Sequence, residues 1–376
     1  MHNNGVKSRE RNTREGRRWR RGKFLFFLVA FVTSTTVVTL AIAANETHLD
    51  TSKLPKGCIS CHKGHGRRAS LMLALPKDEL CFKCHGPAKR GEPGEAQTDI
   101  YSVLLKRSNH PVLQTSAYHV SGESLPERSP SAPRHVSCVD CHDPHMTTKD
   151  IPYNVPQGYA GKRVKIKDVR KDYVVCYLCH SDSANLPPNA HNIAQDFDAS
   201  NASFHPVETT GKNSRVPSLK APLSAGSSIT CSDCHGNDDR FGPKGPHGSN
   251  YDHILRANYT TESGTESPAA YDLCYWCHNR SSILNDDSFK SHKRHVLYEN
   301  LSCFACHASH GSKMYENLIS FDRRIVFPNS QGQLNYVQLQ PGKPRCFLTC
   351  HAGASQYEHI MKGSQYYVNN NPIAGW

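Results

Sequence analysis

The sixteen cysteines of this chain fall into eight close pairs, and a histidine directly follows the second member of every pair. Seven pairs read C-x-x-C-H: Cys58 and Cys61 before His62, Cys81 and Cys84 before His85, Cys138 and Cys141 before His142, Cys176 and Cys179 before His180, Cys231 and Cys234 before His235, Cys274 and Cys277 before His278, and Cys303 and Cys306 before His307. The eighth, Cys346 and Cys350 before His351, holds one more residue in the gap (CFLTCH). Two thiols and an imidazole at this spacing are the equipment for attaching haem covalently. The thiols add to the two vinyl groups on one porphyrin edge, and the adjacent imidazole lies under the iron as its proximal ligand. A helical turn carries positions i, i+3 and i+4 on one face, so all three groups meet one haem. Zinc sites also use C-x-x-C pairs, but nothing in zinc ligation requires a histidine after each one. The extra residue in CFLTCH shifts its first sulfur by about 1.5 Å along a helix. A distorted turn is predicted there, with the haem retained, so the sequence predicts eight haem c groups.

The second axial ligand must come from elsewhere. The eight histidines of the motifs leave fifteen of the 23, whereas the chain has only five methionines, one of them Met1. Histidine–methionine ligation at eight irons is therefore impossible, and bis-histidine ligation at all eight is within reach. A lone histidine is usually a surface residue, but several here recur at equivalent places. They are His48 and His65 around the first pair of motifs, His110 and His145 around the second, and His205 and His247 around the third. The fourth offers His310 and either His292 or His295. His247 stands twelve residues past His235, where its counterparts stand three past theirs. His119, His135, His191, His253 and His359 are held in reserve. A histidine just past one motif can serve a neighbouring haem, so partners stay open at this level.

These recurrences divide the chain into four two-haem modules, 45–100, 101–190, 191–285 and 286–376, preceded by residues 1–44. The first cysteines of modules three and four are each followed by the next motif after the same 43 residues, which points to duplication. Such a repeat adds interfaces linearly. Stretches 122–133 and 211–228 are rich in Pro, Ser and Gly and read as linkers. Asp78 and Glu79 predict a helix N-terminus before Cys81, and Ser267–Pro268 predicts an N-cap and first helical residue before Cys274. No long alternating run predicts a sheet. Only 37% of residues are apolar, mean hydropathy is −0.61, and there are 25 Gly and 23 Pro. This chain cannot bury two or three ordinary cores. A plain α/β enzyme, a helical bundle and a sandwich are excluded. The predicted fold is mostly irregular coil with short α-helices and little β-structure, packed around a chain of haems.

Residues 1–23 carry nine Lys and Arg against two Glu, and an apolar stretch runs from Phe24 to Ala44. This is the order of a secretory signal, and the stretch is also long enough to span a bilayer as an anchor. Thioether haem requires export, so both readings place the rest outside the cytoplasm. The basic excess of +12 sits largely in this segment. Once sixteen propionates and eight ferric cores are counted, the exported part comes to roughly −3 oxidised. A nucleic-acid partner is therefore not expected.

The motifs NHPV…CVDCHDPH…CYLCH, FHPV…CSDCH…PHGS…CYWCH and CFACHASHGS…CFLTCH resemble the doubled C-x-x-C-H family of multihaem c-type cytochromes found in metal-reducing bacteria, over roughly residues 48–359. In that family the histidines of HPV and of CHxPH resemble distal ligands, which supports His110, His205, His145 and His310. The departures are the insertion before His247, the CFLTCH spacing and the absence of HPV from modules one and four. The resemblance implies haem-to-haem electron transfer in the periplasm or at the outer membrane. Its implied partners are inner-membrane quinol-linked cytochromes and periplasmic or outer-membrane cytochromes, with an outer-membrane porin or self-association as further options. The reading is an electron carrier, not an enzyme. The alternative is an octahaem oxidoreductase reducing a nitrogen or sulfur oxyanion at one open iron. Pyridine haemochrome assay of the exported protein is expected to give eight haems per chain and seven in a C346A/C350A variant. An unchanged count in the variant would contradict a haem on CFLTCH.

Overall fold

In the computed structural model, the described residues are 48, 50–52, 54–64, 72–87, 98–113, 136–145, 172–181, 191–340 and 343–350. His65, His119, His135, His351, His359 and the apolar segment 24–44 lie outside them. Among the described residues no helix is long and apolar enough to cross a membrane.

The helices are α1 (Lys77–His85), α2 (Ile100–Leu104), α3 (Cys138–Cys141), α4 (Tyr173–His180), α5 (Cys231–Cys234), α6 (Asp272–Cys277) and α7 (Arg280–Leu284). Five of the seven contain a C-x-x-C-H motif, and two further motifs sit at the 3-10 turns Gly57–Ser60 and Cys303–Ala305. Helix length thus follows from the motif. After Cys141, Cys234 and Cys277 the chain leaves the helix, and the next histidine is extended, with ψ of 129°, 124° and 132°. Its amide still closes the turn: the N–H groups of His62, His142, His235, His278 and His307 each donate to the carbonyl of the first cysteine at 2.9 Å. The turn starts are fixed locally. The Asp140 carboxylate accepts the Ser137 N–H at 2.7 Å, and Asp233 accepts the Thr230 N–H at 2.7 Å. Ser302 Oγ accepts the Ala305 N–H at 3.2 Å. Each is an N-cap device satisfying orphan donors at a helix start.

The strands are β1 (Ser108–Asn109), β2 (Ser203–Phe204), β3 (Gly248–Ser249), β4 (Gly311–Ser312), β5 (Asn335–Gln340) and β6 (Lys343–Phe347). β1 pairs antiparallel with β3, β2 with β4, and β5 with β6. The first two ladders are two residues long, and each joins segments more than a hundred residues apart in sequence. In both, a glycine makes the close approach possible. A Cβ on Gly248 would lie 2.1 Å from the Val103 carbonyl oxygen, and one on Gly311 would lie 1.8 Å from that of Asp196.

The fold class read from the sequence holds. Two local expectations change. Ser267 caps a turn, its Oγ accepting the Ala270 N–H at 3.1 Å, and α6 starts at Asp272, so Pro268 is not its first residue. The eighth motif begins on a strand, because Cys346 pairs with Tyr336 in the β5–β6 hairpin and Thr349 bridges to Phe327. Extended backbone spans the extra residue there, and an apolar cluster of Ile319, Val326, Tyr336, Cys346 and Leu348 holds it. Two smaller clusters lie on opposite sides of α4: Val174, Val175 and Leu178 beside Cys141, and Tyr177 with Ala194, Phe197 and Val207.

Buried acids tie neighbouring motifs together. Asp172, just ahead of α4, accepts the N–H groups of Cys231 at 3.2 Å and Ser232 at 2.7 Å, at the start of α5. Asp78 in α1 likewise accepts the Cys138 N–H at 3.0 Å. The variant D172A is expected to lose about 1–2 kcal/mol in urea unfolding. The exposed pair of Asp252 with Arg107 is different, and D252A is expected to lose under about 1 kcal/mol. Equal losses would remove the special role of Asp172.

Candidate functional site

No disulfide links any of the sixteen cysteines. Burial pushes Cys141, Cys234, Cys274, Cys303 and Cys306 up to about 12. They are thus neutral thiols at pH 7. Among the described residues no three or more His, Cys, Asp or Glu converge to hold a metal ion on their own.

The proximal histidines are oriented by their backbone surroundings. His235 donates from Nδ1 to the His253 carbonyl at 2.7 Å, and His307 donates from Nδ1 to the Asn317 carbonyl at 2.9 Å. Nδ1 of His278 is hydrogen-bonded to Ser218 Oγ at 3.0 Å. A carbonyl can only accept, so Nδ1 of His235 and His307 carries the proton and Nε2 keeps its lone pair. Such acceptors fix the tautomer and ring direction of metal-bound histidines. The carbonyls come from a recurring loop. Lys63, Gly236 and Ala308, each next after its proximal histidine, donate backbone N–H bonds to Met72, Ile254 and Leu318 at 2.6, 2.6 and 2.8 Å. Those three acceptor residues adopt φ of 51°, 54° and 57°, and His253 and Asn317 are left-handed as well, at 60° and 58°. The left-handed turn aims the carbonyl at the imidazole. The sequence reading missed these acceptors, for which the recurring polar-polar-apolar-apolar run (DHIL, ENLI) was the available signal.

Opposite the proximal rings stand the other histidines. Ring centroids are 6.1 Å apart for His85 and His48, 5.9 Å for His62 and His145, and 6.4 Å for His180 and His110. They are 6.0 Å apart for His142 and His247, 6.2 Å for His235 and His310, and 6.3 Å for His307 and His292. After burial, the charged form of His205 would be the largest electrostatic influence lowering the basicity of His278. A metal held by one nitrogen of each ring, at about 2.0–2.1 Å from each, plus the distance from each nitrogen to its ring centre, spans roughly 6 Å. The residues therefore fit an iron between each pair. One ring nitrogen of His247, Nδ1, is buried without a hydrogen-bond partner in normal geometry.

Distal-side rings are also held by carbonyls. Nδ1 donates to the carbonyl of Pro144 from His48 (2.9 Å), of Pro246 from His110 (2.6 Å), of Ser309 from His205 (2.5 Å) and of Ser291 from His295 (2.5 Å). Burial is the first cause that lowers the basicity of His85, His110, His205, His235 and His307. It brings His180, His247, His278 and His295 to about 4 and His292 to about 3. These imidazoles are neutral at pH 7, as a metal ligand must be. The structure separates His292 from His295 by the facing of His292 toward His307; both rings contact Phe289, His292 edge-on at 5.0 Å and His295 stacked at 6.1 Å. Of the reserve histidines, His191 bonds Asp196 at 2.7 Å through Nε2, and His253 contributes its carbonyl.

Beside α6 a cavity of about 460 Å³ is lined by Lys220, Arg240, Pro268, Asp272, Tyr275, Trp276 and Arg280. Arg240 and Arg256 lie 4.5 and 5.0 Å from the Trp276 ring, as cation–π partners. Arg280 pairs with the buried Glu266 carboxylate. These cations are suited to porphyrin propionates.

Comparison with known families gives two matches. Residues 160–319 match the family described as outer membrane cytochrome MtrC/MtrF-like, domains II/IV, and residues 53–90 match the doubled CXXCH motif. No curated protein and no solved structure matches the chain.

The ring planes of His48 and His85 are 88° apart, and those of His62 and His145 are 11° apart. Each imidazole splits the two iron dπ orbitals along its own plane. Parallel rings add their effects and perpendicular rings cancel. Electron paramagnetic resonance of the oxidised holoprotein is expected to show one strongly anisotropic low-spin signal that H48A abolishes and H145A leaves. Survival of that signal in H48A would contradict the pairing with His85.

Proposed function

We propose, from the matches of residues 160–319 to an outer membrane cytochrome family and of residues 53–90 to the doubled CXXCH motif, that the chain is a multihaem c-type cytochrome acting as an octahaem electron conduit with two histidines on every iron. Bound haem supplies a reversible one-electron couple, and close-set haems pass electrons by hopping. The polypeptide does the rest. It anchors each haem by two thiols, holds two imidazoles about 6 Å apart and fixes ring planes through carbonyl acceptors.

The observation that carries the reading is the pairing of proximal histidines with second histidines across a span that suits one iron. Two imidazoles leave no open coordination position, so substrate has no place on the metal. They also give a lower potential than histidine–methionine ligation. The ligand set we propose is His62 with His145, His85 with His48, His142 with His247, His180 with His110, His235 with His310, His278 with His205 and His307 with His292. His295 is kept for the iron of His351. Its ring is buried and neutral, and Glu299, at the end of its own short helix, is the charge felt by Cys350. The family described as outer membrane cytochromes supports an exported location, in the periplasm or at the outer membrane, with other cytochromes as redox partners. The basic and apolar order of residues 1–44 supports the same location. A porin or a second copy of the chain stays among the partner options.

The competing reading is an oxyanion reductase with one open iron. Carbon monoxide added to the reduced holoprotein at neutral pH separates the two. The conduit is expected to show no shift of its Soret band. Binding of one carbon monoxide per chain would overturn full ligation and direct attention to nitrite and hydroxylamine turnover.

A further inference from the structure

The histidine pairs do not respect the module boundaries. His145 of module two faces His62 of module one, His247 of module three faces His142 of module two, and His310 of module four faces His235 of module three. By contrast, His48 faces His85 and His110 faces His180 within one module. Resting on the ligand reading proposed above, we infer that the modules are interlocked. The first haem of each of modules one to three takes its distal ligand from the module that follows, and the second takes it from the leading histidine of its own module.

The backbone explains the crossing. The leading histidine of one module and the internal histidine of the next lie on two neighbouring segments. The His110 amide donates to the His247 carbonyl at 3.3 Å beside the β1–β3 ladder, and the His205 amide donates to the His310 carbonyl at 2.9 Å beside β2–β4. The side chains repeat the link. His48, His110 and His205 donate from Nδ1 to the residue just before His145, His247 and His310 respectively. One ladder therefore holds both distal ligands of one haem pair, and its two halves come from different modules.

A second joint alternates with the first. The sulfurs of Cys81 and Cys138 lie close enough to influence each other, and so do those of Cys176 and Cys231. Asp78 and Asp172 add backbone links at the same two places. At the third junction Cys303 is, after burial, the largest electrostatic influence on Cys274. Paired distal histidines join the two haems of a module, and neighbouring cysteines join the second haem of one module to the first of the next. The haems consequently stand in sequence order, from the Cys58 site onward. In module four, His292, from the segment ahead of the module's own first motif, faces His307.

The test uses full-length holoprotein and reads haem number and ferric spin state. H247A is expected to carry eight haems with one high-spin, which added imidazole returns to low-spin and so shows an intact fold. In a C138A/C141A chain, with seven haems, H247A is expected to add no high-spin signal. In a C231A/C234A chain it is expected to add one. A high-spin haem that H247A creates in the C138A/C141A chain and not in the C231A/C234A chain would place His247 on its own module and overturn the interlock. The same crossing at His310, with C231A/C234A against C303A/C306A, gives an independent repeat. A high-spin haem in the unsubstituted protein would count against the ligand reading itself, and the two failures are therefore distinguishable.

Discussion

A neutral imidazole nitrogen left free to face a partner about 6 Å away is the constraint on which the rest of this structure depends. Histidine in water is partly protonated and chooses its tautomer freely. Here burial lowers the basicity of His110, His205, His235, His295 and His307, and backbone carbonyls take the Nδ1 proton of these rings and of His48. The carbonyls must then be aimed. That requirement explains the left-handed residues at His253, Ile254, Asn317 and Leu318, the helical turns that end at the second cysteine, and ladders only two residues long. Little of the chain is free for regular structure, because most of its backbone serves as hydrogen-bond acceptor or as tether.

The same constraint shapes stability. The apolar clusters are small, and the largest sits on the last hairpin, around Val326, Tyr336 and Leu348. Between modules the connections are polar and specific: Asp172 on the amides of Cys231 and Ser232, Lys106 on Asp238 at 2.6 Å, and Ser203 Oγ donating to the Tyr315 carbonyl at 2.7 Å. In a repeat whose units each bury their own core, interfaces simply add. In an interlocked repeat, one module lacks ligands without its neighbour, and the units are expected to gain or lose their haems cooperatively.

Much of this was legible in the sequence. The cysteine pairs followed by histidine pointed to covalent haem, and the sparse apolar residues pointed to the coil-rich fold class that the structure has. Positional recurrence picked out His48, His110, His145, His205, His247 and His310, all of which the structure sets opposite a proximal ring or, for His205, close to one. The crossing of partners was not legible. A two-residue ladder such as β1–β3 has no periodicity to read, and its partners lie more than a hundred residues apart. Carbonyl acceptors were invisible because any residue supplies a carbonyl, and only the left-handed turn at DHIL or ENLI makes it specific. The shifted start of α6 and the strand at Cys346 reflect tertiary pairing overriding local preference. His292 and His295 were equivalent in sequence, and both contact Phe289; the facing of His292 toward His307 separates them.

The most direct test is a cryo-electron microscopy map of the intact holoprotein, in which irons and axial ligands are seen together. Interlocked modules are expected to give irons in single file in sequence order, with His247 on the iron of the Cys138 haem and His310 on that of the Cys231 haem. A map with His145 on the Cys138 haem, or with the haems ordered otherwise than the motifs, would contradict the interlock.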